Sequence, residues 1–496
     1  MMHYRHKNVK NRISIRYLSV LLACTLLSGC GVTTVTPAGT TVVDEGLTFG
    51  MEPVFDYVLP QETPNVQVDA TGYLPESTKI AIFEGSTLEK KEPVKYVIRD
   101  KESREVVYEG ILQQKQQEGS TTYYGTFTEF QTPGEYYIEC EELGCSYYFS
   151  IGENVYFPVG LTLKERIKIS RMGTENTEKS YFTNGWRMDE HGNRDTRKAC
   201  EALSYLLLGY EIYPLLYEQL WSVETVDDTI NCEQGKVNFF AELRYETDWL
   251  LSMQDSTSGG IYAGIRSKND GAEATFATEA EEYILREISE DATACFAATM
   301  AKYGYLYQQI DKEYATVCLK AAAKAWKYLE TQASAKPEQM LYVAAELYRA
   351  SSDWQYNAYI TKNQEAILRG NDDFSLLMGE ITYISTRRKV DKDLCGKMMT
   401  SLMEKAEMIA TASRQGDYLV EEEQDEFMYN MTVMSVVDYI VTNHEYYTVI
   451  ENHIHYLLGR NPKGVCAVDT MDILDSTRML LYISSITAEK ELILSE

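Results

Sequence analysis

The sequence predicts a multidomain chain in which an immunoglobulin-type β-sandwich comes first and an all-α domain second. Three observations carry that expectation. Between residues 65 and 152 the apolar residues fall in short β-branched or aromatic stretches bounded by Gly, Pro, Ser or Asp, as the strands of a small sandwich do. From about Leu161 onward the apolar spacing becomes that of a helix and stays so. The length of 496 residues also exceeds one ordinary domain. A composition of 44% hydrophobic and 25% charged residues is that of a globular protein.

The N-terminus carries Arg5, Lys7, Lys10, Arg12 and Arg16 with no acid, then an apolar run from Leu18 to Leu27 that stops at Ser28-Gly29-Cys30. A basic stretch before an apolar core too short to span a bilayer reads as a secretory signal. Its Leu27-Ser28-Gly29-Cys30 ending resembles the bacterial lipobox, which implies a signal peptide over residues 1–29, lipidation at Cys30 and a lipid-anchored protein on the bacterial cell surface. Residues 30–64, rich at first in Thr, Val and Gly, read as a tether. No other stretch approaches the run of about 18 apolar residues that a span requires.

Five of the 47 basic residues and none of the 75 acidic ones lie in residues 1–29, so the formal charge moves from −28 to −33 in the mature chain. That surplus speaks against nucleic acid as a partner, because phosphates are held by Lys and Arg clusters. Eight cysteines remain beyond Cys30, scattered rather than arranged as a disulfide framework. Cys140 and Cys145 can meet across a tight hairpin through Leu143-Gly144; the rest read as small buried hydrophobes. No CxxC pair or HExxH is present, so no zinc site is expected.

The expected strands are Lys79–Phe83, Val94–Ile98, Glu105–Tyr108, Thr121–Phe127, Glu135–Cys140 and Tyr147–Ile151, within a sandwich domain of residues 65–155. The expected helices follow from one-face stripes in residues 160–496: Leu203, Leu206, Leu207 and Tyr210; Phe296, Met300, Tyr303 and Tyr307; Ala315, Leu319, Ala322, Trp326 and Leu329; Val433, Val436, Val437 and Ile440; and Ile450, Ile454, Leu457 and Leu458. Roughly ten or more helices fit there at ordinary lengths.

Three passages in the β region carry a resemblance: Gly72-Tyr73-Leu74-Pro75 before Lys79-Ile80-Ala81, Gly125 to Phe130 leading into Thr132-Pro133-Gly134-Glu135-Tyr136, and Tyr148-Phe149-Ser150-Ile151-Gly152. In the helical region, Asp248-Trp249-Leu250-Leu251-Ser252-Met253-Gln254 with Gly259-Gly260-Ile261-Tyr262, Asp291-Ala292-Thr293-Ala294, Ala344 to Ala350, and Tyr456-Leu457-Leu458-Gly459-Arg460-Asn461-Pro462 continue it in order. Together they resemble family 9 glycoside hydrolases, the cellulase-type enzymes, with their N-terminal immunoglobulin-like domain, over roughly residues 65–465. The resemblance implies an (α/α)6 barrel of six helical hairpins, a polysaccharide or oligosaccharide substrate of the β-linked glucan class, and inverting hydrolysis.

Inversion needs one carboxyl group to protonate the leaving oxygen and one carboxylate to activate water from the opposite face, about 6.5 to 9.5 Å apart. The family's Gly-Trp-x-Asp-Ala-Gly-Asp-x-x-Lys loop is similar to Gly185-Trp186 through Asp189 to Asp195-Thr196-Arg197-Lys198, although six positions instead of three separate the two Asp. The resemblance implies Asp195 as general base and Asp189 as its helper, with Trp186, His191 and Lys198 as substrate contacts. Read as residues alone, the two Asp equally suit a polar loop before a helix.

The family's His-His-Arg motif and the later Asn-Glu segment that bears its general acid have no counterpart here. The 34 residues after Pro462 contain no His, and Glu489 and Glu491 lack that context. Two readings follow: a hydrolase whose acid lies elsewhere, or a degenerate member that binds glycan without cutting it. An assembly lipoprotein with neither property is a third. The acidic run Glu421 to Glu426 reads as a solvated face; no cofactor is expected, and a structural Ca²⁺ is not legible from spacing.

Overall fold

The computed structural model describes Pro53 and residues 57–493, apart from residues 87, 89–92, 116–120, 172–183, 190–191, 269–282, 372, 417–426 and 442. The signal, Cys30, most of the tether, His191 and the Glu421 to Glu426 run lie outside the described residues.

Ten strands build the sandwich: β1 (Val66–Gln67), β2 (Gly72–Tyr73), β3 (Ile80–Glu84), β4 (Lys95–Asp100), β5 (Val106–Ile111), β6 (Gln113–Gln114), β7 (Thr122–Thr126), β8 (Gly134–Cys140), β9 (Gly144–Cys145) and β10 (Phe149–Ile151). One sheet runs β1-β3-β7-β6 and the other β2-β10-β8-β4-β5, with β9 hairpinned onto β8. Period-two alternation sends Tyr96 and Ile98 of β4 and Tyr136 and Ile138 of β8 into the core between the sheets, where they meet Phe83, Phe127 and Phe149. The hairpin register pairs Cys140 with Gly144 and Glu139 with Cys145. One position of offset turns the two cysteines to opposite faces, so both are free and the expected bridge does not form.

Fourteen helices follow among the described residues: α1 (Phe157–Ile169), α2 (Thr196–Ile212), α3 (Pro214–Ser222), α4 (Cys232–Ser252), α5 (Glu290–Tyr307), α6 (Lys312–Leu329), α7 (Pro337–Ser351), α8 (Trp354–Lys362), α9 (Gln364–Ile367), α10 (Phe374–Ser385), α11 (Lys392–Gln415), α12 (Phe427–Ile440), α13 (Tyr447–Leu457) and α14 (Ile473–Ile493). Their starts are written in short polar residues: Asn231, Ser289, Asp311, Asp353, Asp373 and Asp391 each accept a backbone N–H of the first turn. Inner helices alternate along the chain with outer segments of one or two helices, as six hairpins require. The inner ones, α2, α5, α7, α10, α12 and α14, carry the most continuous buried runs; α14 packs on α2, α2 on α5, α5 on α7 and α7 on α10. In contrast α11, on the outside, buries only Leu394, Met398, Leu402, Ala406 and Ala410. The architecture is an (α/α)6 barrel, and the alternation points all six inner N-termini to one end.

At the opposite end the inner helices hold a buried charge cluster. Lys302 of α5 and Arg349 of α7 bind both Glu211 of α2 and Glu346 of α7. Burial works against the Glu211 charge, yet the two cations prevail and hold its carboxyl down at about 2.

The sandwich is bolted to the barrel through α13 and the turn after it. Asp69 and His455 are fully buried and meet at 2.8 Å between Oδ2 and Nδ1. Ala70 N–H donates to Leu458 O at 3.1 Å and Thr78 N–H to Glu451 at 3.0 Å. Arg460, also fully buried, donates to Ile80 O at 3.3 Å and to Asn452 Oδ1 at 2.7 Å. The Leu-Gly-Arg-Asn-Pro stretch therefore joins the domains and shapes the turn after α13.

Candidate active site

A small ribbon caps the end of the barrel where the inner helices begin. Its strands are β11 (Arg194–Asp195), β12 (Ile261–Tyr262), β13 (Gly264–Ser267), β14 (Tyr283–Leu285) and β15 (Ile288–Ser289). β13 pairs with both β11 and β14, and β12 pairs with β15. The ribbon delivers Asp195 to the start of α2 and Ser289 to the start of α5, each as N-cap. Gly264 makes the pairing beside Asp195 possible: its φ is +139°, and a Cβ there would lie 2.1 Å from Arg194 O.

Asp195 accepts the Lys198 N–H on Oδ1 at 3.0 Å and Arg286 Nη1 on Oδ2 at 2.7 Å. A helix amide and a guanidinium thus each take up one of its oxygens. Lys198 is exposed on the first turn of α2. Asp189 is exposed as well, and closes its own turn by accepting the Asn193 N–H at 3.1 Å and Asn193 Nδ2 at 2.8 Å.

Trp186 corrects an expectation. It is fully buried, so its ring is not presented to a sugar, and its backbone N–H donates to Glu246 Oε2 at 2.7 Å. The physical reason lies in the packing of the loop onto α4. Gly185 has φ +96° and lies so close to the Trp249 ring that a Cβ would come within 2.6 Å of it, which draws the next residue into the core. Beneath it Glu246 is completely buried, and burial pushes its carboxyl up to about 8.

The two late glutamates, which lack the family's acid context in the sequence, lie away from this end. Glu489 lies 16 residues into α14, about 24 Å along it at helical rise, and Glu491 lies further on. Both are therefore at the far end from the inner N-termini. At the near end of α14 itself stand Asp472 and Asp475. Asp472 accepts the Asp475 N–H at 2.9 Å, an N-cap bond, and Asp475 pairs with Arg478 at 3.0 Å. Burial and the neighbouring charge of Asp472 raise the Asp475 carboxyl above its ordinary range, while Lys198 of α2 works the other way across the helix contact. Asp195 and the Asp472/Asp475 pair thus stand at the starts of two adjacent inner helices. On α2 itself Glu201 is bound by Arg197 at 2.8 Å and raised by burial, with Arg478 and Asp195 both in its field. An acidic residue before the apolar run Ile473-Leu474 is a helix-start signal in the sequence; that this helix is neighbour to α2 is not. No cluster of three or more His, Cys, Asp or Glu positioned for a metal occurs among the described residues.

The model of glycosyl hydrolase family 9 matches residues 200–471, more than half of the chain. This chain belongs to glycosyl hydrolase family 9. Residues 61–144 match the cellulase N-terminal immunoglobulin-like domain. The family 9 match begins five residues after Asp195 and ends at the residue before Asp472, so the carboxylates just described flank it. Endoglucanase D of Acetivibrio thermocellus is 24% identical over 83% of this chain and 68% of its own length. A xyloglucan-specific endo-β-1,4-glucanase of Bacteroides ovatus is 22% identical, covering 83% of this chain and 81% of that protein. A metagenome-derived family 9 endoglucanase superposes with a TM-score of 0.72 at 16% identity, over 85% of this chain and 98% of that one, which is a likeness of fold.

Proposed function

We propose that this family 9 chain hydrolyses β-linked glucans with inversion of configuration, Asp195 acting as general base and the Asp472/Asp475 pair supplying the proton to the leaving oxygen. The observation that carries the reading is the position of these carboxylates at the N-terminal ends of two adjacent inner helices. One group, Asp195, is fixed in place by a helix amide and Arg286. Another, Asp475, is raised by burial and by Asp472, which suits a proton donor. Water activated by Asp195 attacks the anomeric carbon as the pair protonates the departing oxygen on the other face. Lys198, exposed between the two, is the expected polar contact to sugar hydroxyls. The endoglucanases and the xyloglucanase among the relatives support a β-glucan as the substrate class.

One observation favours the rival reading of a non-catalytic glycan binder: the Arg286 contact occupies an oxygen of the proposed base at 2.7 Å. Incubating the purified protein with a panel of soluble β-glucans separates the two. The hydrolase reading expects reducing ends whose first-formed anomer is inverted by proton NMR, and their loss in Asp195→Asn. No product from any member of the panel, with retardation in a glucan affinity gel, establishes the binder.

We further propose that the protein is exported and held to the membrane surface through a lipid on Cys30. Support comes from the basic, apolar and lipobox-like order of residues 5–30. Metabolic labelling with a radioactive fatty acid that persists in Cys30→Ala would refute the anchor.

A further inference from the structure

Two thiols meet one turn below the candidate site. Cys200 of α2 and Cys295 of α5 are both buried on helices that pack against each other. The register of the helices brings them together. Cys295 Sγ is 3.8 Å from Arg197 O, one turn before Cys200, and Thr299 donates its hydroxyl to Cys200 O at 3.2 Å. One turn further on, Ser204 and Thr299 hydroxyls pair at 2.9 Å. Ala292 and Ala298, each about a turn from Cys295, are buried and add little bulk to α5.

We infer that Cys200 and Cys295 form a disulfide that staples α2 to α5 at the end of the barrel carrying Asp195, made by exchange with a small-molecule or protein disulfide as the chain folds outside the cytoplasm. The thiolate of one cysteine attacks the donor disulfide and expels one thiolate from it. The second cysteine then attacks that mixed disulfide at the protein sulfur and expels the other. Two protein thiols are oxidised and one donor disulfide is reduced to two thiols, which take up the two protons. Contact with Cys200, together with burial, pushes the Cys295 thiol far above its ordinary range once the barrel has closed, so the exchange belongs to the folding chain. The bond would close a loop of 95 residues, long enough to restrict the unfolded chain strongly. It would also hold the two helices whose first residues are set by the ribbon, and with them the position of Asp195. The inference does not depend on glycan hydrolysis.

The test is to unfold the full chain with reductant and denaturant and refold it in a buffer of reduced and oxidised glutathione. Acid quenching, alkylation in denaturant and peptide mass spectrometry then locate the pairs. The expected result is a cross-linked peptide pair containing Cys200 and Cys295, and a thermal midpoint that falls on reduction. That fall should vanish in the Cys200→Ser/Cys295→Ser double variant. Alkylation of both residues in wild-type chain that has regained its helical circular dichroism overturns the inference, and so does a reductant effect of equal size in the double variant. The wild-type mass readout stands even where the double variant fails to fold.

Discussion

Glu246 shows how a single buried group ties a catalytic-looking loop to pH. Its carboxyl is pushed up to about 8 by burial, with Trp186 N–H and Arg194 pulling down and Glu242 pushing up. The folded state therefore keeps a proton that the unfolded chain releases near the ordinary value of 4.5. Its contribution to stability is fully present below about pH 4.5 and is lost as pH rises toward 8, at up to about 1.4 kcal/mol per pH unit. Glu246→Gln should flatten the dependence of the denaturation midpoint on pH over that window, and a variant that tracks wild type would show that Glu246 is ionised in the fold. Asp195 is the proposed base. Asp195→Asn keeps an oxygen for the Lys198 N–H and should leave stability within about 1 kcal/mol while lowering glucan hydrolysis by about 10²- to 10⁴-fold. Comparable loss is expected when Asp472 and Asp475 are both changed to Asn. Activity retained in that variant would assign the proton donor elsewhere.

At the scale of elements, the ribbon is the part that sequence periodicity describes least. Its strands have two to four residues, too short for an alternation signal, and their pairing spans residues 194 to 289. Yet this ribbon sets the starts of α2 and α5. Gly264→Ala puts a side chain onto Arg194 O at a backbone angle that L residues rarely adopt, and should destabilise the protein by more than about 1 kcal/mol. It should also reduce activity beyond the stability loss, by displacing Asp195. Full activity in a folded Gly264→Ala protein would separate ribbon from site. The long helices, by contrast, were legible. The stripes of α2, α5 and α13 are buried as spaced, and those of α6 and α12 are too except for the half-buried Leu319 and Ile440, because a 3.6-residue repeat sustained over three or more turns keeps one face inward.

Over the whole molecule, the sandwich and barrel share one buried seam. His455 and Asp69 are both shielded from water, and burial drives each toward its neutral form, Asp69 upward and His455 downward. His455→Ala leaves Asp69 Oδ2 without this partner in the seam, at a cost of about 1–3 kcal/mol. All five Trp belong to the helical domain, so their fluorescence reports the barrel while amide hydrogen exchange in peptides from the sandwich strands reports the sandwich. The two unfolding curves should coincide in wild type and separate in His455→Ala; coincidence in both would mean the seam does not hinge on this pair. The order of domains, the strands of the sandwich, the inner helices and the family resemblance were readable from the chain, because turn chemistry and hydrophobic period are local properties. Which carboxylates stand together was not. Asp195 and Asp472 are 277 residues apart and meet at one end only because six hairpins close into a ring, whereas Glu489 and Glu491 are carried to the other end by the length of α14. Trp186, polar in its sequence surroundings, was drawn inward by Trp249 and Glu246. Long-range closure, not local pattern, decides what reaches the site.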